Sequence, residues 1–311
     1  MGIVMSRYLD PKADVVFKKV FGEHPHLLKS FLNAVLPLPP GREIVELAHL
    51  PTEQAPRIPT MKRTIADVKC KDKEGRVFIV EMQIQWTDSF KQRLLFEAGQ
   101  ALVKQLQTGE DYHLLQPVYG LGIVAATFDN TPQWYHHFKL VNIEKPDHLG
   151  RETIEHLQLV FVELTKFPAH SLQEKKLRLL WLRFMREIDP RTTVISEELL
   201  AVPEIKEAVG LIEESAYNPG ELEAYESYWD AVSTEKTLLT GRYREGHAEG
   251  FVEGEQKGIE KGIKKGIEKG IEKGRAEGRL EIARNMLSSG ISLPTIVACT
   301  GLSEAEIEAL K

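Results

Sequence analysis

The sequence is poor in cysteine, in long apolar runs and in grouped zinc ligands. Its two cysteines, Cys70 and Cys299, form no Cys-x-x-Cys pair, which argues against a disulfide framework and a zinc ribbon. The histidine pairs at 24 and 26 and at 136 and 137 lack neighbouring cysteines or helix-spaced ligands, so we predict no zinc site. The longest nearly apolar stretch, 119–128, is about half the roughly 20 residues of a membrane-spanning helix. Because the first residues also lack a secretory signal, we expect a cytoplasmic protein with no membrane partner.

The chain also lacks an excess of positive charge and a phosphate-binding glycine loop. Its 40 Lys and Arg are outnumbered by 46 Asp and Glu, so the formal net charge is -6, and the whole molecule has no electrostatic signature of a nucleic-acid binder. No glycine-rich loop joins a strong strand pattern to a helix, so a nucleotide-using metabolic enzyme has no support. The local balance is different, because residues 57–104 hold ten basic and six acidic residues.

Composition divides the chain into three regions. Hydrophobic residues make up 42% of the chain and charged residues 28%, as in ordinary globular proteins. We predict a globular domain with a packed helical extension over residues 1–235, a glycine repeat over 236–278 and a small helical tail over 279–311. Mixed helical and strand patterns in the first region predict an α/β domain.

The best-defined local prediction is a β-hairpin. Residues 63–71 and 76–85 have strand-like composition, and the turn-forming segment Asp72-Lys73-Glu74-Gly75 joins them. A helix follows from Phe90 to Gln107, with Asp88 or Ser89 as its N-cap and Gly109 as its end. The other predicted elements are helices over 14–21, 27–35, 171–187 and 197–232 and strands over 44–50, 118–126, 138–143 and 157–164.

Two carboxylates of this hairpin, Asp67 and Glu81, are the candidate functional groups. Since alternate residues of a strand share a face, Glu81 and Gln83 project together, whereas Val80 and Met82 point the other way into a core. A carboxylate in such an apolar run is costly next to a second one unless a cation compensates. Two hard oxygen ligands, completed by water or phosphate, describe a Mg²⁺ site for phosphodiester chemistry. From the spacing alone, solvated acids on an exposed strand are the more common interpretation.

Several short motifs follow one another in order over about residues 5–165. They are L-D-P-K-A-D-V-V-F-K-K-V-F-G at 9–22, Ala66-Asp67-Val68, Val80-Glu81-Met82-Gln83, a helical Arg93, and Gly109-Glu110-Asp111-Tyr112 leading to Pro117-Val118-Tyr119. This series resembles the bacterial Rpn family of recombination-promoting nucleases and transposases, within the PD-(D/E)XK nuclease superfamily. The resemblance implies a restriction-endonuclease-like core, a central mixed sheet flanked by helices, with a helical C-terminal extension. It also implies Mg²⁺-dependent cleavage of DNA, with Mn²⁺ as an alternative metal.

The resemblance also implies roles for individual residues. Asp67 matches the metal-binding aspartate, Glu81 matches the acid of the (D/E)XK motif, and the backbone carbonyl of Met82 completes the metal ligands. Gln83 stands where the superfamily has lysine, as is common in the Rpn family. An amide can orient the attacking water but carries no positive charge to stabilise the transition state.

Four further residues are candidates for supporting roles. Lys69, on the neighbouring strand, and Arg93, on the following helix, are both able to replace the missing lysine. Arg93 has the alternative of pairing with Glu97 one helical turn later. In the opening motif, the resemblance maps Asp14 to support of the metal site and Lys18 to contact with a phosphate.

The second region is an internal repeat. Nine glycines recur at every fourth position from Gly246 to Gly278, and between Gly258 and Gly274 the unit is essentially Gly-Ile-Glu/Lys-Lys. Each glycine costs a helix about 1 kcal/mol relative to alanine, so an isolated helix would be marginal. We therefore favour a flexible or semi-helical linker over an oligomerising helix. In a helix, the isoleucine row would drift about 40° per repeat and favour right-handed coiling with a partner.

The tail, residues 279–311, contains glycine-bounded short helical patterns. In outline it resembles a helix-turn-helix, but it is small and poorly basic, so a packing or partner-binding module is at least as well supported as a DNA-binding one. Homo-oligomerisation through the repeat or the tail stays open.

The sequence therefore favours a metal-dependent DNA endonuclease of low sequence specificity, associated with DNA recombination or mobile elements. The alternative is a nuclease fold whose catalysis has decayed and which acts as a DNA-binding or protein-assembly module, because fold alone does not fix function. The joint presence of Asp67, Glu81 and Gln83 favours the enzyme.

Overall fold

The computed structural model describes residues 8–54, 64–144, 153–168 and 176–310. The chain separates into two compact units, Met1–Lys236 and Thr237–Lys311. In the described residues the helices are α1 (Asp14–Phe17), α2 (Pro25–Val35), α3 (Phe90–Val103), α4 (Lys176–Glu187), α5 (Glu197–Leu200), α6 (Pro203–Leu211), α7 (Pro219–Ser288), α8 (Leu293–Thr300) and α9 (Glu304–Glu308), and a π-helical turn, Lys18–Gly22, follows α1. The strands are β1 (Leu47–His49), β2 (Glu53–Gln54), β3 (Thr64–Ile65), β4 (Val68–Asp72), β5 (Val77–Gln83), β6 (Val118–Val124), β7 (Tyr135–Val141) and β8 (Thr153–Glu163).

A six-stranded mixed sheet forms the centre of the first unit, in the order β1-β4-β5-β6-β8-β7. Strands β4 and β5 form the predicted antiparallel hairpin, and β5, β6 and β8 run parallel to one another. The outer strands β1 and β7 are antiparallel to their neighbours. This is the restriction-endonuclease-like α/β arrangement expected from the sequence. The predicted fold class is therefore confirmed.

Helices cover both faces of the sheet, which is why β5 and β6 are buried along almost their whole length. On one face, Val80 and Met82 belong to a large core with the buried side chains of α2 and α4, including Phe31 and Trp181. On the other face, Ile79 packs with the apolar side of α3. Glu81, two residues after Ile79, therefore lies on the α3 side of the sheet.

Strand β6 carries glycines because α3 lies close to it. A Cβ atom on Gly122 would be 2.9 Å from Phe161 and 2.9 Å from Phe90 on α3. A larger residue there would push the helix away from the sheet. Gly122 thus allows α3 to reach the strands beside the candidate site.

Helix α3 differs from its prediction at both ends. Ser89 is at the N-cap position, but its side chain makes no capping hydrogen bond. The helix ends at Val103 rather than at Gln107. Gly109, with a φ of 89°, serves a later turn, in which the backbone N–H of Glu110 donates to the carbonyl of Gln107. Parts of two other predictions, residue 63 of the hairpin and residues 171–175 of a helix, lie outside the described residues.

The second unit contains the rest of α7 and a small three-helix cluster. The glycine repeat is helical throughout, within α7, whereas the sequence led us to favour a flexible or semi-helical linker. Glycine lowers helix propensity but leaves the backbone hydrogen bonds intact, and ion pairs such as Lys257–Glu253 (2.5 Å) add i,i+4 support. Among the helices that the structure describes, none has the length and apolar character needed to cross a membrane.

The tail is built around three buried residues, Ala283, Ile296 and Ile307. Helix α8 ends at Thr300 and is capped by Gly301, whose φ of 69° lies in the left-handed region that favours glycine. Helix α9 begins with a capping box between Ser303 and Glu306. Two short helices joined by a tight turn thus form in the place where the sequence suggested a helix-turn-helix.

Candidate active site

The β4–β5 hairpin brings the two predicted carboxylates together. Val68 pairs with Val80 in this hairpin, so Asp67, immediately before β4, lies across from Glu81. Because this pairing extends from the turn at residues 72–76, a shift of one residue would move Glu81 to the opposite face of the sheet. The register of the hairpin therefore sets the geometry of the pair.

Reciprocal hydrogen bonds hold the two carboxylates side by side. The backbone N–H of Asp67 donates to Oε1 of Glu81 at 3.1 Å. The backbone N–H of Met82 donates to Oδ2 of Asp67 at 2.6 Å. One oxygen of each carboxylate is thus bonded to a backbone amide from across the hairpin.

Burial makes this pair electrostatically costly when it is charged. Glu81 is only 4% exposed. Burial raises the pKa of Glu81, and the negative charges of Asp67 and Glu97 raise it further. Burial also raises the pKa of Asp67, against the lowering effect of the hydrogen bond from Met82. Two adjacent carboxyl groups with raised pKa values are characteristic of a functional site or a cation site.

Arg93 extends from α3 toward the same strand. Its Nη2 atom lies 3.5 Å from Oε2 of Glu81 and donates to Oε1 of Gln83 at 2.7 Å. Nε2 of Gln83 in turn donates to the carbonyl of Gln85 at 2.7 Å. Gln83 is therefore held in one orientation, while its amide keeps one further hydrogen and one further lone pair.

The opening motif contributes a charge pair close to Asp67. Asp14 and Lys18, one turn apart, form an ion pair of 2.8 Å. The charge of Asp14 raises the pKa of Asp67, and the charges of Lys18 and Arg93 lower it. The charges of Asp14, Lys18 and Arg93 thus all act on Asp67.

Lys69 and the Met82 carbonyl are less closely tied to the pair. Lys69 lies opposite Ile79 in the hairpin, and burial lowers its pKa, as does the nearby charge of Lys104. Within the part of the chain that the structure describes, the Lys69 side chain makes no ion pair or hydrogen bond. Its role and that of the Met82 carbonyl remain predictions.

Sequence reasoning missed two residues that interact electrostatically with this site. Glu97 on α3 is 1% exposed, and its charge raises the pKa of Glu81. Tyr228 on α7 has a raised pKa, mainly from burial and then from the charges of Asp14 and Asp67. The spacing of Glu97 from Arg93 was a local signal of proximity. Tyr228 had none, because it is far away in sequence.

The donor set fits a divalent cation. Asp67 and Glu81 supply hard oxygen ligands from one buried location, which Mg²⁺ and Mn²⁺ prefer. A bound cation would also offset the repulsion that raises the two pKa values. The residues present are therefore suited to hold such an ion.

A second cluster of ligand-type residues lies at the ends of β6, β7 and β8. Oxygen and nitrogen atoms of Asp129, His136 and Glu163 are all within 4.8 Å of one another. However, the Lys166 ammonium lies 2.5 Å from Asp129 and 2.8 Å from Glu163. A metal would have to displace this cation, so we interpret the cluster as a buried ion-pair network. These residues are far apart in the sequence, so no spacing motif predicts that they form a cluster.

Two protein-family models match the chain. A model described as PD-(D/E)XK nuclease family transposase matches residues 11–240. A second, described as the C-terminal HTH domain of the Rpn/YhgA-like nuclease family, matches residues 276–311. Neither the curated proteins nor the solved structures give a match.

The mixed sheet and its flanking helices, with a carboxylate pair on the central hairpin, define a fold of the PD-(D/E)XK nuclease class. The chain belongs to the PD-(D/E)XK nuclease family transposases, because the family model covers most of its length. The C-terminal match also confirms the resemblance to the Rpn family. The matched family model describes the tail as a helix-turn-helix domain. From the sequence alone, a packing or partner-binding module was at least as well supported.

Proposed function

We propose that the protein is a metal-dependent DNA endonuclease in which Asp67 and Glu81 hold Mg²⁺, or alternatively Mn²⁺. The observation that carries the proposal is the pair of reciprocal hydrogen bonds between the two strands, which fixes two buried carboxylates next to each other. An arrangement that raises both pKa values is costly for folding alone, and a cation-dependent function accounts for it.

Each residue around the pair has a proposed task. The Met82 carbonyl completes the protein ligands, with Asp14 supporting the pair. A bound divalent cation supplies Lewis acidity toward the phosphate and lowers the pKa of a water molecule. Gln83, held by Arg93, orients that water with its remaining amide hydrogen and lone pair.

Positive charge for the phosphate comes from residues beside the pair. Arg93, whose side chain is 41% exposed, contacts the substrate backbone. It supplies the positive charge that the superfamily obtains from a lysine at the position of Gln83. Lys18 binds a neighbouring phosphate, and Lys69 is the second candidate for the missing lysine. Contacts of this kind are made to the phosphates of the DNA and not to its bases, which supports low sequence specificity.

The biological setting is part of the same proposal. The transposase family supports a role in recombination or in mobile elements. Both cysteines are free thiols, Cys70 buried and Cys299 exposed, which supports action in the reducing cytoplasm.

The test compares Glu81→Gln and Asp67→Asn with the unchanged protein on supercoiled plasmid, with Mg²⁺, with Mn²⁺ and with EDTA. Both substitutions keep an oxygen that accepts the backbone N–H bond, so folding should survive. Loss of a metal ligand removes several kcal/mol of transition-state stabilisation, so cleavage should fall at least about 100-fold. Calorimetric titration with Mn²⁺ should show the loss of binding directly.

A matched control is Asp129→Asn, which removes the same charge from the second cluster. It should leave both cleavage and Mn²⁺ binding unchanged. Cleavage that persists in Asp67→Asn, or metal binding that is lost only in Asp129→Asn, would refute the assignment. If the unchanged protein binds Mn²⁺ through Asp67 and Glu81 but cuts no DNA, the decayed-nuclease alternative is correct.

We further propose that the tail binds DNA, because the comparison identifies a helix-turn-helix there. Its second helix, α9, carries Glu304, Glu306 and Glu308, which repel phosphates, so its affinity should depend on few basic contacts. Fluorescence anisotropy of labelled duplex DNA with the full chain and with a variant ending at residue 275 would test this. Equal affinity of the two would exclude a DNA-binding role for the tail.

A further inference from the structure

The segment that follows β5 holds one end of the Gln83 amide. Strand β5 ends at Gln83, and Nε2 of Gln83 donates to the backbone carbonyl of Gln85 at 2.7 Å. The backbone carbonyl of Gln83 still accepts from the N–H of Ala125 at 2.8 Å, but residues 84–87 have no regular secondary structure. Pairing with β6 therefore fixes the backbone at Gln83 and does not extend to the carbonyl of Gln85.

A side-chain hydrogen bond to α7 provides a fixed point for this segment. Nε2 of Gln85 donates to the backbone carbonyl of Val232 at 2.9 Å, and a helical carbonyl has a second lone pair for such a bond. Val232 lies in the part of α7 that belongs to the first unit. Burial raises the pKa of Tyr228, one turn earlier, and the charges of Asp14 and Asp67 raise it further. This stretch of α7 is therefore close enough to the candidate site to interact with it.

We infer that Gln85 is a positioning residue, through which α7 fixes the orientation of the Gln83 amide. A continuous series of hydrogen bonds leads from the carbonyl of Val232 through Gln85 to Gln83, and from Gln83 to Arg93. The inference rests on the proposed nuclease function, in which Gln83 orients the attacking water. It adds that a helix outside the hairpin controls how precisely Gln83 does so.

The two bonds of the Gln83 amide allow one orientation. Its oxygen accepts from Nη2 of Arg93 at 2.7 Å, and its nitrogen donates to the carbonyl of Gln85. A flipped amide would place N–H groups against the guanidinium and an oxygen against the carbonyl, and both contacts are repulsive. The second N–H of Gln83 consequently has a constant direction for as long as the carbonyl of Gln85 stays in place.

The first experiment removes the bond to α7 with Gln85→Met, which keeps the length of the side chain and lacks a donor. Because orientation of the water matters in the transition state, kcat for plasmid cleavage should fall about 10- to 100-fold, with little change in KM. The affinity for Mn²⁺, measured by calorimetric titration, should not change, since Asp67 and Glu81 keep their own bonds to the backbone.

A matched control is Gln105→Met, which removes another glutamine that is bonded to the backbone. The side chain of Gln105 donates to the carbonyl of Gln116 at 3.0 Å and accepts from its N–H at 2.8 Å. Gln105 follows the C-terminal end of α3, whereas Arg93 is near the start of that helix. This variant should lower the free energy of unfolding and leave kcat unchanged.

The second experiment asks whether Gln85 acts through Gln83. In a Gln83→Met background the amide to be oriented is absent, so adding Gln85→Met should change kcat by less than about twofold. If the two losses multiply in the double variant, Gln85 acts on another group and the inference is wrong. Unchanged kcat in the single variant Gln85→Met would also overturn it.

A third measurement does not depend on cleavage. The side-chain amide signal of Gln83 in a proton–nitrogen NMR spectrum is identified by its absence in Gln83→Met. In Gln85→Met this signal should shift, and its hydrogens should exchange faster with water. An unchanged signal would refute the positioning role even in an active nuclease. A shifted signal in a protein that cuts no DNA would support that role and refute only the nuclease function.

Discussion

Glycines in the two units of the protein have opposite surroundings. In the first unit, a Cβ on Gly122 would lie 2.9 Å from two aromatic rings. In the second unit, a Cβ at any repeat glycine from Gly246 to Gly278 would have no described atom within 4 Å beyond the helix's own neighbouring backbone. The first glycine exists because helix and sheet must approach closely. The repeat glycines lie on a surface that no other described part of the chain contacts.

The two units consequently depend on different physical terms. The first unit buries aromatic and aliphatic side chains on both faces of its sheet, so its stability comes from packing. In the second unit, the buried cluster is confined to Ala283, Ile296 and Ile307 among the described residues. Its long helix depends on local backbone hydrogen bonds and on i,i+4 ion pairs such as Lys257–Glu253. Substitutions that remove large apolar side chains should therefore destabilise the first unit much more than the second.

The largest effect is expected for Trp181→Ala. Trp181 is fully buried, contacts Phe21 and Phe31 at ring-centroid distances of 5.6 and 5.8 Å, and donates to Ser30 Oγ at 3.1 Å. Its truncation should lower the free energy of unfolding of the first unit by about 3–5 kcal/mol. Urea denaturation followed by circular dichroism measures the change.

The control for this substitution is Phe251→Ala in α7. Phe251 is 67% exposed, so the free energy of unfolding of the first unit should change by less than about 0.5 kcal/mol. Equal destabilisation by the two variants would contradict the separation of the units.

Gly122→Ala should have an intermediate effect. The new methyl group would overlap Phe161 and Phe90, so the first unit should lose about 1–3 kcal/mol of stability. Because α3 carries Arg93, which holds Gln83 by a hydrogen bond, its displacement should also lower cleavage of DNA. A variant as stable and as active as the unchanged protein would show that α3 moves away from the strand without cost.

The smallest effect is expected for Gly250→Ala, and its sign is the opposite. This position has open space around it. Alanine should stabilise the helix by up to about 1 kcal/mol, seen as increased helicity on heating. Gly262→Ala, at a position that also has open space around it, should raise helicity by a similar amount. A fall in helicity in either variant would contradict this prediction.

The sequence predicted the parts of the site that depend on short-range patterns. Alternation along the strand predicted that Glu81 and Gln83 share a face, and the turn residues between the strands predicted the hairpin that brings Asp67 opposite Glu81. Both follow from the two-residue period of a strand. The same kind of local pattern predicted Arg93 on a helix and the short helices of the tail.

Other parts depend on contacts between distant residues. The sequence left Arg93 with a choice between Glu97 and a phosphate, and the structure adds its contacts with Gln83 and Glu81. The cluster of Asp129, His136, Glu163 and Lys166 was not foreseen, because its members come from separate loops and strands. The sequence favoured a linker for the repeat and left a helix as the alternative, and the structure shows a helix; propensity alone does not include the flanking helical sequence.

By itself, the sequence determined the β-hairpin, the ordered motifs of the family and the four-residue glycine repeat, since all of these follow from local periodicity or ordered motifs. Only the tertiary structure decided how deeply Glu81 is buried and which charges surround it. It also showed that Lys166 already neutralises the second acidic cluster. Burial and electrostatic interactions depend on distances between segments far apart in the chain, and no local pattern encodes those distances.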